Sequence, residues 1–184
     1  MLTLERFTFG VGDRFAHQAS AQLAAFEKTA ALGVDVIPVW NKSNREHTFV
    51  GSEPQSVHDA AAAAVRAHGW KKPWHVDADH IRLDTVDRFL TCSDFFTIDV
   101  ADSIGQRPSD AHVDVFLRRH PELQGRIEIP GIDQPFEVTP ERLAGTVRKY
   151  LAAVEEAGRI ARHIAVRKGG SERFIAEVSM DETD

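Results

Sequence analysis

The stretch Trp74-His75-Val76-Asp77-Ala78-Asp79-His80 decides the fold of this chain. Its apolar and small residues fit a short buried strand, and its far end is a cluster of ionisable groups. Two carboxylates and a histidine crowd that end. Burial and mutual repulsion there push pKa values apart, which suits acid–base or metal chemistry. Other strand-like runs end the same way. Phe95-Phe96-Thr97-Ile98 runs into Asp99 and Asp102, and Phe174-Ile175-Ala176 runs into Glu177, Asp181 and Glu182.

Upstream, Arg6 to Val11 alternates apolar and polar residues and predicts a strand, ended by Gly12-Asp13-Arg14. His17 to Leu32 carries Leu23, Phe26 and Ala30 at helical spacing, with Gly33 as its stop. Val34 to Trp40 predicts a second strand, although Pro38 cannot donate to a ladder. Asn41 to His47 is polar throughout and predicts a loop. Ser52 and Gln55 form a capping-box pattern that opens an Ala-rich helix to His68, closed by Gly69. Downstream, Asp84 is the expected cap of a short helix carrying Val86, Phe89 and Leu90. The strand at Phe95 follows.

Beyond Phe95 the rhythm breaks. Ser103 to Val138 holds an expected helix around Val113 to Arg119 and a small hairpin around Ile127 to Ile132. Thr139-Pro140 is a good helix start, with proline at the first helical position. The helix from Glu141 to about Val166 is amphipathic through Leu143, Val147, Leu151, Val154, Ile160 and Ile164, and Gly169-Gly170 ends it. Phe174 to Met180 predicts the fifth strand of the series.

Strands alternating with helices predict a parallel α/β sheet with helices outside. In such folds ligands sit at the carboxyl ends of the strands. Those ends hold Asp13 and Arg14, Asn41 and Lys42, Asp77, Asp79 and His80, Asp99 and Asp102, and Glu177. The only glycine-rich candidate for a nucleotide loop, Gly10-Val11-Gly12, lacks a third glycine, which favours a TIM-like barrel of (β/α) units over a dinucleotide fold. A full barrel takes eight strands and roughly 250 residues. With five strands before Asp184, the expectation is an incomplete barrel: one α/β domain over 1–184, the front part of a longer enzyme, with an insertion at about 103–138.

The chain has 184 residues, 27% of them charged, and a net charge of −6, so no broad basic surface argues for nucleic acid. The single cysteine, Cys92, excludes an internal disulfide framework and a cysteine zinc cluster. The start Met1-Leu2-Thr3-Leu4-Glu5-Arg6 has no signal pattern, and no apolar run approaches the roughly 18 residues of a membrane span. The expectation is a soluble, cytoplasmic protein with no membrane partner.

Phe9-Gly10-Val11-Gly12-Asp13-Arg14-Phe15, Pro38-Val39-Trp40-Asn41-Lys42-Ser43, Val76-Asp77-Ala78-Asp79-His80, Val86-Asp87-Arg88-Phe89, Asp94 to Asp102 and Glu177 to Glu182 resemble tagaturonate epimerase. The resemblance runs over nearly the whole chain. It implies interconversion of tagaturonate and fructuronate, a small sugar-acid substrate, and a divalent metal such as zinc, manganese or nickel. Members of that family are about twice as long or more. A more distant similarity is to class II fructose-bisphosphate aldolases, metal-dependent barrels whose third strand ends in Asp-His. That similarity implies Asp79 as the proton carrier, His80 as a metal ligand and Glu177 as a group near the metal.

The chemistry fits that resemblance. The two hexuronates differ one carbon beyond the carbon alpha to the ketone, where the hydrogen is not acidic. Breaking and remaking the adjacent carbon–carbon bond avoids that problem, with a metal holding the keto and hydroxyl oxygens of the enediolate. A rival route, transient oxidation, needs a nicotinamide, for which no fingerprint is present. Asp79, Asp77 and Glu177 are the catalytic candidates, and His80 and Glu177 the metal candidates. Arg14, Asn41, Lys42, Arg45 and Asp99 are the substrate-binding candidates, since the carboxylate needs a cation. Each has a structural reading as well: Asp77 as a loop brace, Asp99 and Asp102 as loop closures, Glu182 and Asp184 as solvated ends. His75, inside the strand, reads as packed; His17 and His47 are weaker candidates. Other function classes are a non-catalytic sugar-acid binding module and another metal-dependent aldolase or isomerase. Residues 1–184 alone are expected to bind metal poorly, to turn over no substrate, and to self-associate through open sheet edges.

Overall fold

The structure is a computed structural model that describes residues 2–181. Met1, Glu182 and Asp184, all named above, lie outside the described residues. The chain divides into two compact units, one of residues 1–99 with 159–179 and one of residues 100–158 with the end of the chain.

The first unit is built on β1 (Thr8–Gly12), β2 (Ile37–Ser43), β3 (His75–Ile81), β4 (Phe95–Asp99) and a last strand, Ile175–Ser179. They form one parallel five-stranded sheet in chain order. The sheet is open, with β1 at one edge and the last strand at the other. Between the strands lie α1 (Ala19–Ala31), α2 (Asn44–Val50) and α3 (Gln55–His68).

Three local expectations change. β2 starts at Ile37 and runs on through Asn41, Lys42 and Ser43, which had read as loop. Pro38 is tolerated because the ladder to β3 begins only at Val39, so no β3 partner needs its missing N–H. Polar composition suggested a loop from Asn41 to His47, but pairing with Asp77–Asp79 keeps Asn41–Ser43 extended and Asn44 opens α2. The helix that follows is capped by Ser43, whose Oγ accepts from the Glu46 N–H at 3.2 Å while Glu46 accepts from the Ser43 N–H. The true capping box is therefore Ser43/Glu46, not Ser52/Gln55. Ser52 is occupied elsewhere, and α3 starts directly after Pro54. Asp84 caps nothing: the short 3-10 turn Val86–Arg88 follows Thr85, whose hydroxyl accepts from the Arg82 N–H at 2.9 Å.

Side chains alternate across a strand, so the register sorts them onto two faces. One face carries Trp40, Val76, Phe96 and Ile98. Trp40 and Val76 pack with Ala19 and Leu23 of α1 and Val57, Ala61 and Ala64 of α3. Lys168 reaches over the Phe96 ring on that same face. The other face carries Gly10 and Gly12, Asn41 and Ser43, Asp77 and Asp79, Thr97 and Asp99, Glu177 and Ser179. An apolar, helix-covered face and a small, polar face are thus set by the period-two pattern of the strands themselves. Gly12 leaves room for the Asn41 side chain: a Cβ there would lie 2.6 Å from Asn41 Oδ1 and displace it.

The second unit contains α4 (Asp110–Arg119), the antiparallel pair β5 (Gly125–Ile127) and β6 (Phe136–Val138), and the first part of α5 (Pro140–Lys168). The last strand of the main sheet is β7. The hairpin is wider than Ile127–Ile132: Pro130 and Gly131, with Gly131 at φ 86°, lie in its loop. Thr139 starts α5 as expected, its hydroxyl accepting from the Arg142 N–H at 3.2 Å. Val113, Leu143, Val147 and Leu151 form this unit's core.

Candidate functional site

The carboxyl end of β3 is irregular in a way the sequence does not show. Asp77 pairs with Phe95 and Ala78 with Phe96, but the next pair is Ile81 with Ile98. Three steps on β3 match two on β4, which is a β-bulge at Asp79 and His80. His80 takes φ 52°, a left-handed conformation that side chains other than glycine seldom adopt. The bulge turns the imidazole toward its neighbours. Its Nδ1 lies 2.7 Å from Asp79 Oδ1, and its Nε2 lies 3.4 Å from Ser179 Oγ on β7. A carboxylate on Nδ1 fixes the tautomer with the proton there and makes Nε2 the basic nitrogen.

Asp77 is buried, 6% exposed, and is braced by Thr97, which donates its N–H at 3.1 Å and its hydroxyl at 2.9 Å to the two carboxylate oxygens. Burial first, and then repulsion from Asp79, push the Asp77 carboxyl up to about 7, and the Thr97 bonds offset only part of this. Repulsion from Glu177 adds to the rise. Glu177 is exposed on β7, in register with Thr97. Asp99 ends β4 opposite Ser179, and its Oδ2 accepts from Arg82 Nε at 3.0 Å and Nη2 at 2.9 Å. Asp77, Asp79, His80, Asp99 and Glu177 are therefore brought to one end of three adjacent strands.

The β1–β2 end is arranged differently. Asp13 is a loop anchor: its carboxylate accepts the N–H groups of Phe15, His17 and Gln18. Burial alone would raise that carboxyl, but the three donors outweigh it and hold it below its ordinary value. Arg14 is exposed, 3.7 Å from Glu46 and over the Phe49 ring. Arg45 is exposed on α2. Asn41 lies on the polar face against Gly12. Lys42 does not join it. In register with Ala78, it points to the helix side, 1% exposed, with Nζ donating to Ser52 Oγ at 2.8 Å. Burial lowers its pKa. Ser52 also lies 2.9 Å from Nδ1 of His47, which burial and the cations Lys42 and Arg88 push down to about 4. His47 is thus a buried neutral group. His17 is held by the Asp13 loop. His75 is 2% exposed and packed inside the sheet, and Asp102 belongs to the other unit.

Sequence reasoning passed over Thr97 and Arg82. Thr97 is a strand-interior residue of ordinary type, so nothing marked it. Arg82 would have been included had β3 been read through Ile81 instead of stopping at His80. Chemically, the carboxyl end of β3 offers a carboxyl able to exchange protons near neutral pH, a second carboxylate, and an imidazole of fixed tautomer. That donor set fits a divalent metal in kind, because a carboxylate behind a histidine is the usual backing of a metal-bound imidazole. Among the described residues, no group of three His, Cys, Asp or Glu is gathered to hold a metal ion.

Comparison with known proteins adds three findings. A model of the family UxaE, tagaturonate epimerase, matches residues 1–184. The native crystal structure of fructuronate-tagaturonate epimerase UxaE from Cohnella laeviribosi is similar, with a TM-score of 0.76 and 22% identity, over 96% of this chain and 38% of that one. Its glycerol complexes give TM-scores of 0.77 and 0.74 at 20% identity, with the same coverage. At that identity the likeness shows the fold, and this chain spans about two fifths of those chains' length. No curated protein matches the chain.

Proposed function

The chain belongs to the tagaturonate epimerase family, and we propose that it serves as the strand-one-to-five part of a metal-dependent enzyme that interconverts tagaturonate and fructuronate. The observation that carries the reading is the bulged end of β3, where Asp79 holds His80 beside the near-neutral carboxyl of Asp77. The proposal extends to the fold. A sheet with α1, α3 and the end of α5 on one face and a polar opposite face is what an arc of a barrel presents, whereas a doubly wound sheet is covered on both faces.

In this reading His80 offers Nε2 to the metal, with Glu177 as a second ligand on β7. The metal, when bound, would supply positive charge to the keto and hydroxyl oxygens of the substrate. Asp79 takes the proton from the hydroxyl on the carbon to be inverted. The adjacent carbon–carbon bond then breaks, leaving an aldehyde and an enolate. The aldehyde turns its other face, the bond re-forms, and Asp79 returns the proton. Asp77, raised by burial and by repulsion from Asp79 and Glu177, accepts or releases a proton near neutral pH at little expense, so it can buffer that transfer. The sheet holds these groups on strands, not on mobile loops.

The test is tagaturonate incubated with the complete enzyme, these five strands together with the rest of its length, and manganese, nickel or zinc, with fructuronate followed by NMR. Asp79→Asn is expected to reduce the rate by about a thousandfold while metal binding survives. Near-normal turnover in that variant would remove Asp79 from the mechanism. Formation of no fructuronate with any metal would return the chain to a binding role.

A further inference from the structure

We infer that Lys42 is a positioning residue: from the helix side of the sheet it pins α2 and the turn after it, and so holds the strand end opposite Asp79 in place. The inference rests on the epimerase reading above. Three observations carry it. The first is a buried charge that the mechanism leaves unused. Lys42 is 1% exposed, and among the described residues its ammonium has one hydrogen-bond partner, Ser52 Oγ at 2.8 Å. An ammonium taken out of water with one of its three donors engaged is costly, and burial lowers its pKa. An apolar side chain of similar volume would fill the same space without that cost. The bond that Lys42 makes is therefore where its role lies.

The second is what that bond holds. Lys42 can only donate, so the Ser52 proton is left for Nδ1 of His47, 2.9 Å away. Burial and the nearby cations keep His47 neutral and able to accept it. The His47 ring is buried and meets Phe89 edge-on, with centroids 5.8 Å apart. The Ser52 N–H donates to the His47 carbonyl at 3.0 Å. Lys42, Ser52 and His47 thus join β2, the turn after α2 and α2 itself in one chain of hydrogen bonds.

The third is where the pinned piece lies. α2 packs against both β2 and β3. Lys42 is in register with Ala78, and Ser43, the cap of α2, is in register with Asp79. The turn after β3 reaches back to the same piece. Arg88 donates to Asn44 Oδ1 at 2.6 Å, at the start of α2, and to Glu53 Oε2 at 3.1 Å, in the turn beyond it. Both ends of the helix are therefore fixed, and with them the ladder position beside Asp79. A proton carrier displaced by about 1 Å can lose on the order of a hundredfold in rate.

The experiment uses the complete enzyme with manganese and tagaturonate. It measures kcat, KM, manganese affinity by calorimetry and the melting temperature. Lys42→Met is expected to lower kcat by about tenfold, with KM and manganese affinity within roughly twofold of wild type and a melting temperature no lower. Ser52→Ala, which leaves the ammonium without its partner, is expected to lose kcat to a similar degree and to melt lower. The double variant is expected to lose no more kcat than either single one, because both cut the same tie. A merely structural lysine gives another pattern: kcat follows the melting temperature, with Lys42→Met like wild type and Ser52→Ala impaired. That pattern, or additive losses in the double variant, would overturn the inference and leave the epimerase reading in place. If Lys42→Met does not fold, hydrogen exchange in Ser52→Ala decides. Faster exchange in β3 with β1 unchanged supports the tie; no rise in β3, or an equal rise in β1, overturns it. A wild-type enzyme that forms no fructuronate would overturn the epimerase reading, and this inference with it.

Discussion

The two ends of β3 carry the same chemical types and do opposite things. At the amino end, His75 is 2% exposed and meets a carboxylate at each ring nitrogen, Asp94 at 2.8 Å and Glu5 at 2.9 Å. Asp94 also accepts the Val76 N–H, so every partner is committed to the fold. Both ring nitrogens must donate, which makes His75 an imidazolium. Burial opposes that charge, yet the two carboxylates outweigh it and raise its pKa. At the carboxyl end, Asp77 and Asp79 repel each other, Asp79 holds the His80 ring at 2.7 Å, and the backbone departs from regular pairing. Charge is balanced around the histidine at one end of the strand, whereas at the other end the neighbouring carboxylates repel.

Asp77 offers the largest effect on that contrast. Its folded-state pKa, about 7, lies above the unfolded value of 3.8. The folded state therefore holds the proton more tightly. Stability is full below pH 4, falls as pH rises through 7, and then levels, by on the order of 3–4 kcal/mol. In protein stripped of metal, Asp77→Asn should flatten that fall in urea titrations between pH 4 and pH 8. An unchanged slope would mean that Asp77 is not the strained group.

His75 should act in a different pH window. Its raised pKa means its stabilisation is complete below about 6.5, the unfolded value, and is lost as pH rises through the higher folded value. His75→Ala leaves Glu5 and Asp94 facing one another and should destabilise by about 3 kcal/mol at pH 6, less at pH 9. A pH-independent loss would show that His75 acts by packing alone.

The smallest effect separates the two backbones. At φ 52° His80 sits where glycine is favoured, so His80→Gly should be more stable than His80→Ala by about 1 kcal/mol. At His75, in regular strand, the order should reverse, with glycine less stable by about 0.5–1 kcal/mol. Equal behaviour at the two sites in thermal melts would argue against the bulge.

Much of the fold was legible because it follows from local chemistry. The alternation at Arg6 to Val11, the strand-like runs at Val76 and Phe95 and the helical spacing of Leu23 and Phe26 belong to the chain alone, as does proline at the start of α5. They dictated alternating strands and helices, hence a parallel sheet with acids at its carboxyl ends. Where composition was the only guide, the reading went astray. Asn41 to Ser43 are polar but extended, because two neighbouring strands supply their ladder. Ser52 has the spacing of a cap, but its hydroxyl belongs to Lys42 and His47, contacts that exist only once β2 and α2 have packed.

The candidate site divides along the same line. Sequence by itself determined that Asp77, Asp79 and His80 stand at the end of one strand, since spacing along a chain is local. Tertiary structure decided that Thr97 grips Asp77, that a bulge re-aims His80, that Lys42 turns to the helices, and that Arg82 is tied to Asp99. Each of those depends on register between strands far apart in sequence, and register is set by the packing of the whole sheet, not by any one segment of it.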